Sequence, residues 1–195
     1  MQFASVRNLK LLILNFSFRS SGDLLIRFLG LITFPIIIRA LGPEGYGTFT
    51  LITVIMQFTL IPVSLLGLRS YGVREIAERK EKETNIVSNI ISAQLMTIII
   101  TIPLSLGIVL YFFNSQIFFL KSIVIGYIVV IAYVFNIDFF FIAKKNLLIP
   151  TISNLIGQLI FIGGVILFVK DPENLPLLIL LSGLAPLLSA LIQII

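Results

Sequence analysis

A chain of 195 residues in which 58% are hydrophobic and only 12% charged, with a mean hydropathy of +1.11, carries more apolar surface than one soluble core could bury, and reads as an integral membrane protein. The net charge of +5 would suggest nucleic acid in a soluble domain, but here the basic residues fall in short connections between apolar segments, so nucleic acid is not an expected partner. Cysteine and histidine are both absent, which removes thiol nucleophiles, disulfides, cysteine or imidazole metal sites and serine–histidine catalysis; no metal and no cofactor is expected.

The chain begins MQFASVRNLKLLILNFSF, a basic start and an apolar run that lead into RSSGD and more apolar sequence with no A-x-A-like cleavage site. This segment is read as retained. A hydrocarbon core about 30 Å thick takes about 20 helical residues to cross. Six stretches qualify: 12–38, 46–68, 86–113, 123–143, 147–169 and 175–195. None alternates in polarity as barrel strands do, and continuous apolar runs in lipid satisfy their backbone groups locally only as helices. The expected fold class is therefore all-α, a polytopic membrane helix bundle of about six transmembrane helices.

The first span is unusual in carrying Arg19, Asp23 and Arg27. With Arg39 at one edge of the hydrocarbon, Arg27 lies about 18 Å further in, near the midplane. Asn15, Arg19, Asp23 and Arg27 are spaced by four, which predicts one slowly drifting helix face with Asp23 within reach of both arginines. A charge at the centre of a spanning helix costs at least about 2.5–3.5 kcal/mol, so this face is expected to line an interior or a watery cavity. A bland reading is a neutralised pair locking helices together, with Arg19 snorkelling to the interface. The functional one is an anion site, in which Arg27 and Arg19 offer guanidinium forks suited to phosphate and Asp23 orients them.

Next comes RALGPEGYG, 39–47, which predicts a tight turn: Gly42 ends one helix in the left-handed conformation, Pro43 starts the next and Glu44 complements its dipole. The second span carries no charge. Residues 69–85 then form the one long connection, read as a cytoplasmic amphipathic segment with an apolar stripe of Val73, Ile76 and Ala77. Its Glu75–Arg79 and Glu78–Lys82 spacings are each worth about 0.2–0.5 kcal/mol on an exposed helix.

In the third span Asn85, Ser88, Asn89 and Ser92 make a polar stripe that either faces the cavity or serves helix packing. The fourth holds Asp138, about 9 Å along the axis from Lys144, a possible cation or proton ligand for which Lys145 is the expected local partner. In the fifth, Asn154 and Gln158, with Ser153 and Gly157, form a comparable face. Pro35, Pro62, Pro103, Pro150 and Pro186 are each expected to bend a span. The last span stops at the final residue without a flanking anchor, which predicts a truncated chain or a fragment.

With the N-terminus cytoplasmic, that side holds Arg7, Lys10, Arg69, Arg74, Arg79, Lys80, Lys82, Lys144 and Lys145, against Arg39, Lys121 and Lys170 opposite. The positive-inside bias places both termini in the cytoplasm.

IIIRALGPEGYGTF followed by GLRSYGVREIAERK resembles the polysaccharide-biosynthesis flippases, the O-antigen transporter type within the multidrug, oligosaccharidyl-lipid and polysaccharide exporter superfamily. The likeness spans residues 24–82, and the later helices fit it in spacing alone. It implies one lobe of a two-lobed exporter whose second lobe is absent from this chain. It also implies transport of an oligosaccharide linked to a polyprenyl pyrophosphate across the cytoplasmic membrane, by alternating access around a basic cavity. Arg27, in RFLG, matches the first-helix arginine of the related lipid II flippases; where those have a further arginine and aspartate, this chain has Thr33 and Phe34. Asn85, Asn89, Ser92, Asn154 and Gln158 are the candidates to line the cavity. Expected partners are the lipid-linked oligosaccharide, membrane lipids and glycan-assembly membrane proteins. Two alternatives compete. A drug or cation antiporter of the same superfamily would use Asp23 as its titrating carboxylate. A membrane-embedded glycan polymerase or ligase would need a sizeable outer loop with catalytic groups, and the outer connections here are a few residues long, so no enzyme is expected.

Overall fold

The computed structural model describes residues 2–78, 83–113 and 117–194. Among them every regular element is helical. The expected pairs of Glu75 with Arg79 and Glu78 with Lys82 involve partners outside the described residues.

The first helical stretch, Gln2–Leu65, is interrupted at Gly42 (φ 70, ψ 174), which divides it into α1 (2–41) and α2 (43–65). Phe34 meets Tyr46 edge-on with ring centroids 5.3 Å apart, and Arg19, Asp23 and Ile26 share a cleft with Leu60, Gln57 and Thr53. These pairings step outward from the break in register, as in an antiparallel hairpin. The 48-residue, predominantly apolar stretch from Phe16 to Val63 therefore covers the bilayer twice, since each arm exceeds about 20 residues. Gly42 does supply the turn, but its ψ takes it out of the left-handed helical region expected for it and into the mirror-extended region that only glycine occupies at little cost. Gly42→Ala is expected to destabilise the protein by about 1–3 kcal/mol, read as a lowered unfolding temperature in detergent.

After a turn at Gly67 (φ 61) the chain forms α3 (Leu68–Glu78). Its apolar stripe differs from the expected one: Gly72 and Ile76 are buried and Ala77 is exposed. Ile76 packs with Ile86 and Ile90 of α4 (Glu83–Phe113) and with Phe139. The stripe is thus spent on protein rather than turned to lipid.

The span expected over 123–143 lies within one candidate membrane span, Ile117–Ala143, but it is built from two helices, α5 (Ile117–Val134) and the short α6 (Asp138–Ala143). One local and two distant side chains take the backbone groups that the break releases. Asn136 Oδ1 accepts from the Asp138 amide at 3.1 Å. Gln193 Oε1 accepts from the Ile137 amide at 3.1 Å, and Arg69 Nη2 donates to the Tyr133 carbonyl at 3.1 Å. An interruption at membrane depth is tolerated on that condition. Lys144, just past α6, pairs with Glu83 at the start of α4.

The chain then forms α7 (Leu148–Phe168) and, after a 3-10 turn at Pro172–Asn174, α8 (Leu175–Ile194). Pro150 is the third residue of α7 rather than an interior one; its missing N–H lies where a helix makes no internal bond, so it need not bend the span. Pro35, Pro62, Pro103 and Pro186 are interior.

Lipid offers apolar side chains no reason to leave it, so the helices are held by close packing and polar contacts. The core runs through α5, where Ile123 and Val130 are fully buried with Ile52 of α2, Val165 of α7 and Leu178 of α8. Ser105 of α4 donates to the Tyr127 hydroxyl of α5 at 2.9 Å. Gly157 lets α7 approach the backbone of Ala185 in α8.

Candidate functional site

Between α1, α2, α5, α7 and α8 lies an open cleft of about 530 Å³. Its polar lining comes from Arg19 and Asp23 of α1, Gln57 of α2, Arg69 of α3, Tyr133, Asn136 and Asp138 around the α5–α6 break, Asn154 and Gln158 of α7, and Ser182 of α8.

Arg19, Asp23, Asn154 and Gln158, singled out from the sequence, are therefore brought together. Arg27, Asn85, Asn89 and Ser92 are not among the lining residues. The reason for Arg27 is helical geometry. Seven residues bring Ile26 back to within about 20° of Arg19, whereas eight carry Arg27 about 80° away. Ile26 takes the place in the cleft, and Arg27 stands on an exposed face with Leu24, Phe28 and Leu31. The drift also decides the pairing: Asp23 lies 3.7 Å from Arg19 Nε, and no ion pair joins it to Arg27 among the described residues. The side chain of Asn15 lies outside the described residues. In α4, Ile86 and Ile90 face inward, leaving Asn85, Ser88, Asn89 and Ser92 exposed.

Arg19 is the most informative side chain. At 3.7 Å its contact with Asp23 is an ion pair beyond hydrogen-bond length, and its buried Nη1 has no acceptor among the described residues. A buried donor left without a partner costs about 1–3 kcal/mol, more when it is charged. The guanidinium thus belongs to the wall of the cleft with its Nη1 unsatisfied among the described residues.

A second pair was not foreseen. Asp138 pairs with Arg69, Nη1 to Oδ1 at 3.5 Å, and not with Lys145. The Arg69 guanidinium also lies 5.4 Å from the centroid of the Tyr133 ring. Nothing local in the sequence joins residues so far apart; the only signal was an isolated carboxylate in an apolar run, which demands a cation from somewhere. With both pairs counted, the two arginines and two aspartates of the lining balance. The cleft is polar and bipolar rather than simply basic.

One wall is fixed by a network between α7 and α8. Ser189 Oγ donates to Asn154 Oδ1 at 2.7 Å, while Gln193 Nε2 reaches Ser189 Oγ at 3.1 Å and Ser153 Oγ at 3.3 Å. Because Gln193 also accepts from the Ile137 amide, it ties this wall to the α5–α6 break. Gln193→Leu leaves that amide without its acceptor and is expected to cost about 1–3 kcal/mol, measured by thermal unfolding in detergent. Gln158, which lines the cleft, makes no hydrogen bond within the described residues.

A family model described as polysaccharide biosynthesis protein matches residues 12–195. No curated protein matches the chain, and no solved structure does.

Proposed function

The chain belongs to the polysaccharide biosynthesis protein family, as a multi-pass membrane protein with a role in polysaccharide synthesis or flipping, and from there we propose that it moves a saccharide linked to a polyprenyl diphosphate across the cytoplasmic membrane. The observation that carries this reading is Arg19, a guanidinium with a buried, unpartnered Nη1 in the wall of a polar cleft inside a spanning bundle. A diphosphate brings several anionic oxygens to the guanidinium, and charge-assisted hydrogen bonds of this kind are among the stronger ones.

In this scheme Arg19 receives the diphosphate and Asp23 orients the guanidinium until it arrives. Gln158, the amide of Asn154, Gln57 and Ser182 offer the sugar hydroxyls dispersed donors and acceptors, while the prenyl tail stays in the bilayer. Both termini are cytoplasmic in this arrangement, and access alternates by rocking against a second lobe. We place that lobe over the face of α1 that bears Arg27, because an uncovered guanidinium in hydrocarbon costs at least about 2.5–3.5 kcal/mol. Glycan-assembly membrane proteins would supply and receive the cargo.

The test is binding to the purified chain of a prenyl diphosphate, the matching monophosphate and the free prenol. The diphosphate should bind most tightly and the prenol least. Equal affinity for all three would mean that the tail alone is recognised. The two carboxylates of the cleft support a second reading, a drug or cation antiporter. That reading requires Asp23→Asn to abolish transport while Arg19→Gln leaves it intact; the flippase reading requires the reverse.

A further inference from the structure

The second arginine of the cleft is held in a way that a structural tie does not require. Arg69 makes a single contact with Asp138, at 3.5 Å, where a guanidinium and a carboxylate can form two short parallel bonds. Its other hydrogen bond goes to the Tyr133 carbonyl, and its Nε makes none among the described residues. The Arg69 side chain remains 32% exposed and that of Asp138 21%. Arg69 also faces both the main cleft and a smaller adjoining cavity of about 210 Å³, so an anion can approach it from the cleft without first moving a helix.

We infer that Arg69 is a second anion contact, kept in reserve by Asp138, and that a diphosphate in the cleft engages it together with Arg19. The inference rests on the reading of the cleft as a diphosphate site. Each arginine faces one carboxylate at more than 3.4 Å, so the lining of the cleft is neutral and its cations are only loosely paired. An incoming diphosphate replaces Asp138 as the acceptor of the Arg69 N–H groups. The same exchange loosens the hold of Arg69 on the Tyr133 carbonyl at the α5–α6 break, which gives anion binding a lever on that joint. Asp138 therefore competes with the ligand, and its removal should help binding. A purely structural pair gives the opposite expectation.

The experiment measures affinity for inorganic pyrophosphate and for farnesyl diphosphate on the full chain in detergent. Asp138→Asn is expected to tighten both about tenfold and Arg69→Gln to weaken both about tenfold, the size of one charge-assisted hydrogen bond. If Arg69→Gln does not fold, the paired neutral variant Arg69→Gln with Asp138→Asn keeps a hydrogen-bonded pair, and is expected to show the same weakening. Unchanged or weaker binding in Asp138→Asn, with Arg19→Gln still impairing it, would overturn the role of Arg69 alone. Binding insensitive to both Arg19→Gln and Arg69→Gln would overturn the diphosphate site itself. Farnesyl diphosphate should bind more tightly than pyrophosphate; equal affinities would point to a soluble diphosphate and overturn the lipid-linked cargo while leaving the arginine pair standing.

Discussion

Arg19→Gln should lower transport of a polyprenyl-diphosphate saccharide into reconstituted vesicles by about 10- to 100-fold, the worth of one or two charge-assisted hydrogen bonds, without lowering thermal stability. The two halves of that statement depend on one another. If the guanidinium served only to hold helices together, its loss would destabilise the fold. Among the described residues, however, its Nη1 is buried without an acceptor and its ionic contact is the 3.7 Å one with Asp23, so glutamine removes a desolvation cost and breaks no hydrogen bond among them. Stability should hold or rise while function falls, as expected where an active group is kept at the expense of the fold. Arg27→Gln, outside the cleft lining, should leave diphosphate affinity nearly unchanged. A stability loss in Arg19→Gln that accounts for the loss of transport would make the residue structural.

Gly157→Leu should prevent stable folding. A side chain beginning at this position would place its Cβ 2.6 Å from the Ala185 carbonyl oxygen and 3.1 Å from the Ala185 Cα. These are backbone atoms, so relief requires α7 and α8 to separate. Separation would break the hydrogen bonds that link Ser153 and Asn154 of α7 to Ser189 and Gln193 of α8, and with them the wall of the cleft. Overpacking alone costs about 1–3 kcal/mol for added methylenes, and the lost network adds to it. Gly163 lies on the same helix, and a Cβ there meets nothing within 4 Å. Gly163→Ala should therefore be tolerated and gain up to about 1 kcal/mol of helix propensity. Size-exclusion profiles and unfolding temperatures of the two variants provide the comparison; similar behaviour in both would contradict the close approach.

What could be read from the residues follows from how locally each feature is encoded. The spans were legible because an apolar run long enough to cross lipid has one local solution, the helix. The hairpin was legible because Gly42–Pro43 carries its own turn chemistry. The α5–α6 break was not, because no glycine or proline marks it: it exists only where Asn136, Gln193 and Arg69 satisfy the released backbone groups, and two of those come from distant helices. Within the site, Arg19 and Asp23 were found through their misfit with the surrounding apolar sequence. Arg27 showed the same misfit, but a spacing of four drifts by about 40° at each step, enough to turn it out of the cleft within two. Arg69 and Asp138 each looked like interface charges, and only the packing of α3 against α6 makes them partners.

The cleft can be probed with little background, because the chain contains no cysteine. Ser182 lines the cleft, and Ser182→Cys changes one atom. The account predicts that a water-soluble anionic thiol reagent modifies this cysteine in membranes and that a polyprenyl-diphosphate saccharide slows the reaction, whereas the same saccharide has no effect once Arg19 is replaced by glutamine. A cysteine at 182 that no aqueous reagent reaches, or one whose modification the saccharide does not slow, would contradict it.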